Sequence, residues 1–265
     1  MPRLAANLTL LFNEVAFPDR FQAAADAGFK AVEFLFPYEW PAGDIKACLD
    51  EAGLELVLFN GPPGDWEAGD RGSACDPRRM AEFRKSILLA LDYAKILQPR
   101  CLHIMTGLTP VDVSKEQARE CLLTNLAWAT DLCSKEGVRA LIEPLNLQDN
   151  PGYFLSDFGD AMALIEETKA RGAIAPMLQF DIYHCAKIHG DVLDWLKRTA
   201  GEIGHFQIAD PFKRQEPNPE NLPLGQIFQT IDQLAEGTFL GCEYFPKEST
   251  QAGLVWTKSQ PLISF

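Results

Sequence analysis

Three apolar runs in this chain end in a carboxylate. Ala140-Leu-Ile-Glu143 leads into Pro144-Leu-Asn146, Met177-Leu-Gln-Phe-Asp181 into Ile-Tyr-His184, and Phe239-Leu-Gly-Cys-Glu243 into Tyr244. A fourth run, His205-Phe-Gln207-Ile-Ala-Asp210, carries an amide that alternates with a histidine. Short apolar runs of this kind read as strands buried on both faces, and Pro144 stops ladder pairing just beyond Glu143. A carboxylate at the mouth of a buried strand is costly unless something pairs it or uses it. Several carboxylates brought together repel, so each tends to hold its proton. A divalent cation resolves that conflict, and carboxylate and amide oxygens suit Mg2+ or Mn2+ better than Zn2+. Glu143, Asp181, Gln207 and Glu243 are therefore candidate metal ligands, with Glu143 at the centre.

Other side chains are candidates for holding a substrate. Arg71 sits in the glycine-rich segment Asn60–Gly72, and a guanidinium is the natural clamp for a carboxylate. His184 falls on a strand-end turn three residues after Asp181. His103 lies inside an apolar run, where a histidine is more often a satisfied core residue. Asn146 follows the Glu-Pro step. Asp210, just before Pro211, reads as a loop cap, His205 as an inward or packing residue, and His189 as a surface-loop residue.

These positions need elements to bring them together, and the chain supplies eight strand-like runs alternating with helical ones. The strands read as Leu4–Thr9, Ala31–Phe36, Leu54–Phe59, Cys101–Met105, the Glu143 run, Met177–Asp181, His205–Asp210 and Phe239–Tyr244. Helices are predicted over Phe17–Ala27, Gly43–Ala52, Pro77–Leu97, Lys115–Glu136, Ser156–Arg171 with Ser156 as N-cap, Asp191–Thr199 and Gly225–Ala235. Strict alternation implies a parallel sheet with helical crossovers. Eight units in 265 residues suit an α/β fold of one domain, a single (β/α)8 TIM barrel spanning 1–265, with residues 246–265 as an irregular C-terminal tail. An open doubly wound sheet usually carries a glycine-rich phosphate loop after its first strand, and Leu8–Asn13 has no glycine. In a parallel barrel all strand C-termini emerge on one face, so Glu143, Asp181, Gln207 and Glu243 converge at one rim.

Composition narrows the class. A net charge of −13 argues against a nucleic-acid partner or a polybasic membrane-surface role, while leaving room for a small anionic substrate in a local basic pocket. Seven cysteines without a CxxC pair read as reduced, mostly buried thiols in a cytoplasmic protein. No leader-like h-region follows Met1-Pro-Arg3, and no apolar run approaches the ~20 residues that cross a bilayer. Nothing in the sequence opposes a homo-oligomer.

Several segments, in order and at matching spacing, resemble the hydroxypyruvate isomerase family within the xylose-isomerase-like barrels. They are Arg3–Asn7, Ala31–Tyr38, Gly64–Gly72, Leu141–Asn146, Phe180–His184, Gly204–Asp210 and Gly241–Tyr244. The resemblance implies two catalytic glutamates at Glu143 and Glu243, and a metal site of Glu143, Asp181, Gln207 and Glu243. It implies that His184 lies beside the substrate. The chain departs from the family at Asn218–Pro223, where a Gly-Glu-Ile-Asn motif is usual, and at Leu147, often a histidine; both positions are expected near the pocket.

The activity so implied interconverts hydroxypyruvate and tartronate semialdehyde through a metal-stabilised enediolate, with Arg71 holding the shared carboxylate. Close alternatives are a four-carbon 2-oxo-tetronate isomerase and a keto-sugar 3-epimerase using the same site. Cleavage of abasic DNA by a three-metal cluster calls for more histidines than the four present. A non-catalytic barrel finds support in the altered 218–223 loop alone.

Overall fold

The computed structural model describes residues 1–265. Its sheet is a closed barrel in which eight strands pair in sequence order, β1 to β8, all parallel. The strands are β1 (Arg3–Asn7), β2 (Ala31–Phe34), β3 (Glu55–Asn60), β4 (Cys101–His103), β5 (Arg139–Ile142), β6 (Met177–Asp181), β7 (Ile203–Ile208) and β8 (Phe239–Cys242). Around them lie α1 (Phe17–Asp26), α2 (Ala42–Ala52), α3 (Met80–Leu97), α4 (Lys115–Lys135), α5 (Phe158–Ala170), α6 (Ile182–Ile188), α7 (Val192–Arg198) and α8 (Leu224–Leu234). The (β/α)8 barrel read from the sequence is the fold observed.

Strand periodicity separates two interiors. One set of alternate positions, such as Leu4, Ala6, Val32 and Phe34, joins the large core between sheet and helices. The other set faces the barrel axis. Low in the barrel it is apolar: Ala5, Ala31, Leu58, Cys101, Leu141 and Phe239 form a separate cluster. Two residues further along the same strands stand Asn7, Glu33, Asn60, His103, Glu143 and Gly241, with Glu243 above. Because successive side chains alternate faces, one apolar floor lifts a polar layer to the strands' C-terminal ends.

Local chemistry sets the helix ends. Ser114 and Gln117 close a reciprocal capping box on α4, and α2 stops at Gly53 with φ 64°. Asp157, not Ser156, caps α5 by accepting the Gly159 and Asp160 N–H groups. The helix predicted from Pro77 starts at Met80, so the glycine-rich connection after β3 is longer than expected. His184 belongs to the additional helix α6, which Asp181 caps through the Tyr183 N–H at 2.8 Å. The C-terminal tail is ordered rather than irregular. It forms α9 (Thr250–Gly253) and α10 (Val255–Lys258), then Ser264 bridges to Arg3 beside β1 and Phe265 packs edge-on against Phe29 at 4.9 Å. His189, read as a surface-loop residue, lies in the turn after α6, partly exposed, and stacks on Trp195 with ring centroids 4.1 Å apart.

Candidate active site

At the C-terminal mouth of the barrel, Glu143, Glu243, Gln179, His103, His184, Asn60 and Arg214 converge on a cavity of about 90 Å³. Arg71 and Trp66 come over it from the connection after β3. A larger groove, about 570 Å³, opens by Arg100 and Arg139 where β4 and β5 begin. It holds no carboxylate or histidine, and the strand N-termini of such barrels serve stability rather than chemistry.

Glu143 lies one residue past β5. Its Oε2 accepts from Gln179 Nε2 at 2.9 Å and stands 3.7 Å from His103 Nδ1, while Oε1 faces His184 Nε2 at 4.0 Å. Burial, then the neighbouring Glu243 and Asp181 charges, push its pKa well above the carboxylate range. Asp181, fully buried, is raised to about 6 by the same desolvation, against the pull of Arg214. Glu243, one residue past β8, is raised to about 8 by burial, although Arg214 Nη2 donates to its Oε1 at 2.8 Å. Glu143 and Glu243, both on the cavity wall, thus tend to keep their protons at neutral pH, while Asp181, off the wall, loses its own near pH 6.

His184 reads as a hydrogen-bond donor. Its Nδ1 accepts the Asn146 N–H at 3.0 Å, so the neutral ring carries its proton on Nε2, 3.7 Å from Asp181 Oδ2. Burial holds its pKa well below the usual value, which keeps it neutral. Glu143, Asp181 and His184 bring potential ligand atoms within 4.8 Å of one another, but a protonated Nε2 has no lone pair to give. The oxygens fit a hard cation better: Asp181 Oδ2 is buried without a hydrogen-bond partner, and Glu143 uses one oxygen on Gln179. Gln207 stands level with Asp181 in the ladder. Its amide is engaged on both sides, Oε1 accepting from Gln179 at 2.6 Å and Nε2 donating to Glu33 at 2.8 Å.

The remaining candidates separate. Arg71 lines the cavity with its guanidinium stacked 3.6 Å from the Trp66 ring centroid. His103 lines it too, 1% exposed, with neither ring nitrogen hydrogen-bonded and its pKa lowered to about 3 by burial. Asn146 is not on the cavity wall; its side chain is taken up by Asp149 and His184. Asp210 caps its loop as expected, accepting the Phe212 and Lys213 N–H groups. The departing segment at 218–223 and Leu147 lie off the cavity wall. Asn221 instead ties to Asp210, and Leu147 is half exposed.

Besides Asn60 and Trp66 on the cavity wall, three residues at or beneath the site escaped sequence reasoning. Arg214 comes from the polar loop after β7, held with φ 51° and its guanidinium 4.9 Å over the Tyr183 ring. Gln179 alternates with Asp181 on β6 and could have been found by that parity. Glu33 is wholly buried under Asn7, Gln207 and His205, whose Nε2 lies 2.6 Å from Glu33 Oε2. A lone charge inside the run Ala31–Phe36 was its signal.

The sequence profile of the xylose isomerase-like TIM barrel family matches residues 21–260. The chain is 47% identical to the 2-oxo-tetronate isomerase of Cupriavidus necator, over 97% of this chain and 98% of that one. It is 39% identical to the hydroxypyruvate isomerase of Escherichia coli, with the same coverage. Among solved structures it superposes on a Brucella melitensis protein described as an AP endonuclease of family 2, with TM-score 0.93, 39% identity, and 98% and 99% of the two chains covered. A D-psicose 3-epimerase from Clostridium cellulolyticum shares the fold at TM-score 0.77 and 14% identity. By profile, full-length identity and barrel geometry alike, this chain belongs to the xylose isomerase-like TIM barrel family, among its hydroxypyruvate and 2-oxo-tetronate isomerases.

Proposed function

We propose that the protein is an aldose–ketose-type isomerase that moves a carbonyl between C2 and C3 of a short 2-oxo acid, hydroxypyruvate being the simplest case. The carrying observation is the pair Glu143 and Glu243, two buried carboxyl groups with raised pKa values on the walls of one cavity. A buried carboxyl whose pKa is raised toward the working pH is suited to both taking and returning a proton.

In the forward direction one glutamate takes a proton from C3, and the electron pair forms the C2–C3 double bond of an enediolate as negative charge gathers on O2. The other glutamate returns a proton to C2 while the O3 proton moves to O2, leaving an aldehyde at C3. Tartronate semialdehyde results from hydroxypyruvate with no net gain or loss of atoms. Arg71 holds the substrate carboxylate at the mouth, its guanidinium stacked on Trp66 and its Nη1 also donating to the Trp66 and Asp70 carbonyls at 3.2 and 2.7 Å. The Nε2–H of His184 donates to a substrate oxygen. Glu143 and Asp181, joined by Gln207 and Glu243 as they give up their bonds to Gln179 and Arg214, would hold a divalent cation, Mg2+ or Mn2+, which would supply positive charge to offset that of the enediolate. Cleavage of nucleic acid finds no support: the cavity has two histidines and the chain a net charge of −13.

Proton NMR in D2O with hydroxypyruvate and Mg2+ or Mn2+ tests the reading. Tartronate semialdehyde appears, with deuterium entering at the exchanging carbon. Absence of turnover for every three- and four-carbon 3-hydroxy-2-oxo acid, with either metal, overturns it.

A further inference from the structure

Helix α3 is apolar on two faces. Phe83, Ile87, Ala90 and Leu91 are buried against the rest of the barrel. On the outward side Leu88, Leu89 and Ile96 stand 51%, 43% and 46% exposed. A surface helix of a globular domain turns one apolar stripe to the core and polar residues to water, so a second apolar face marks a contact with something else. Helix propensity does not call for leucine at these positions, since lysine, glutamine and glutamate serve as well. The outward stripe is well defined. At about 100° per residue, Ala81, Lys85, Leu88, Leu89, Asp92 and Ile96 fall within an arc of roughly 100°, and all six are exposed. None of them lines the cavity at the mouth.

The order of residues along the stripe says what covers it. A two-fold axis that lays a helix antiparallel against its own copy brings each residue opposite the one equally far beyond the axis. With the axis midway between Leu88 and Leu89, Lys85 meets the partner's Asp92, and Asp92 meets the partner's Lys85. Ala81 meets the partner's Ile96, a small residue against a large one, and the leucines of both copies gather around the axis. No like charges are opposed. The stripe thus reads alike from either end, which is what an isologous interface requires of a single surface. Charge favours the same face. Two copies that each carry −13 repel one another, whereas this stripe holds one lysine and one aspartate, so the copies meet where neither sign dominates. We infer that the outward face of α3 is the surface through which two copies of this chain associate, antiparallel about Leu88 and Leu89. The inference takes nothing from the isomerase reading.

Sedimentation velocity at micromolar protein and low salt tests it. The wild type sediments with at least about twice the 29.5 kDa mass of one chain. Leu88→Glu/Leu89→Glu halves that mass while circular dichroism stays unchanged. Charge exchange reads the register. Lys85→Glu alone and Asp92→Lys alone each oppose like charges across the axis, and each raises the dissociation constant by about tenfold or more. The variant carrying both exchanges restores opposite charges at both contacts and returns to within a few-fold of the wild type. A monomeric wild type overturns the inference and leaves the face to a different protein. So does a mass that the leucine variant leaves in place, or a doubly exchanged variant as dissociated as the single ones. Should the leucine variant not fold, the charge exchanges, made at exposed positions, decide the matter by themselves.

Discussion

Glu243 shows how much of the site's chemistry is set by single neighbours. Burial raises its pKa to about 8, and Arg214 is the group that holds it from rising further. Removing that cation in Arg214→Gln moves the Glu243 pKa up, so the pH at which the carboxylate becomes available as a base moves up too. The acid limb of the kcat/KM profile accordingly shifts to higher pH in Arg214→Gln; an unshifted limb with lowered activity means that Arg214 acts on substrate and not on Glu243. Truncating the proton-transfer groups has a different signature. Glu143→Gln and Glu243→Gln keep size and polarity, and each lowers kcat by about 10²–10⁴, while circular dichroism and Tm show the fold retained. Near-normal turnover by either variant contradicts the two-glutamate scheme. Asn146 works at one remove. With its N–H and amide on His184 Nδ1, it holds the tautomer that leaves a proton on Nε2, which is why it lies behind the wall and not on it.

At the scale of the elements, the period of two along each strand explains both the floor and the rim, and it makes glycines at the inner face consequential. Gly241 stands between Phe239 and Glu243 on the inner face of β8, and an added Cβ would come within 2.4 Å of Glu33 Oε2. Glu33 cannot move aside cheaply, because Asn7, Gln207 and His205 fix both of its oxygens. Gly241→Ala therefore destabilises by about 1–3 kcal/mol and disturbs the Gln207 amide, read as a lower denaturant midpoint together with weaker Mn2+ binding. A midpoint unchanged from wild type contradicts this packing. The strands, most helices and the carboxylates at the strand ends were legible in the sequence, because apolar runs and the glycine and proline stops are local signals. The reach of Arg214 was not, since a left-handed residue in a polar loop leaves no pattern before the loop is folded. Nor was the docking of the tail, where the contacts of Ser264 with β1 and of Phe265 with Phe29 join the two ends of the chain.

For the whole molecule, the buried titratable groups of the mouth make stability a function of pH and of bound cation. Asp181 is raised to about 6, Glu243 to about 8 and Glu143 well above the usual range. Unfolded carboxyl groups titrate near ~4. Between that value and their folded values the native state binds more protons than the unfolded chain, so this contribution to stability is lost as pH rises. His103 and His184 act oppositely: lowered in the fold, to about 3 for His103, they take up protons on unfolding below ~6.5, so their contribution is lost as pH falls. Above ~6.5 the histidines no longer contribute a slope and the carboxyl groups act alone. Metal-free protein thus loses thermal stability from pH 6.5 to 8, the range in which Glu243 gives up its proton inside the barrel. A divalent cation held by these oxygens takes the place of the protons, removes the repulsion, and adds its own binding free energy to the native state. Melting temperatures of the metal-free and Mn2+-saturated protein then diverge with rising pH, the gap widening by a few degrees toward pH 8. Two parallel curves would mean that the cation binds away from Glu143, Asp181 and Glu243.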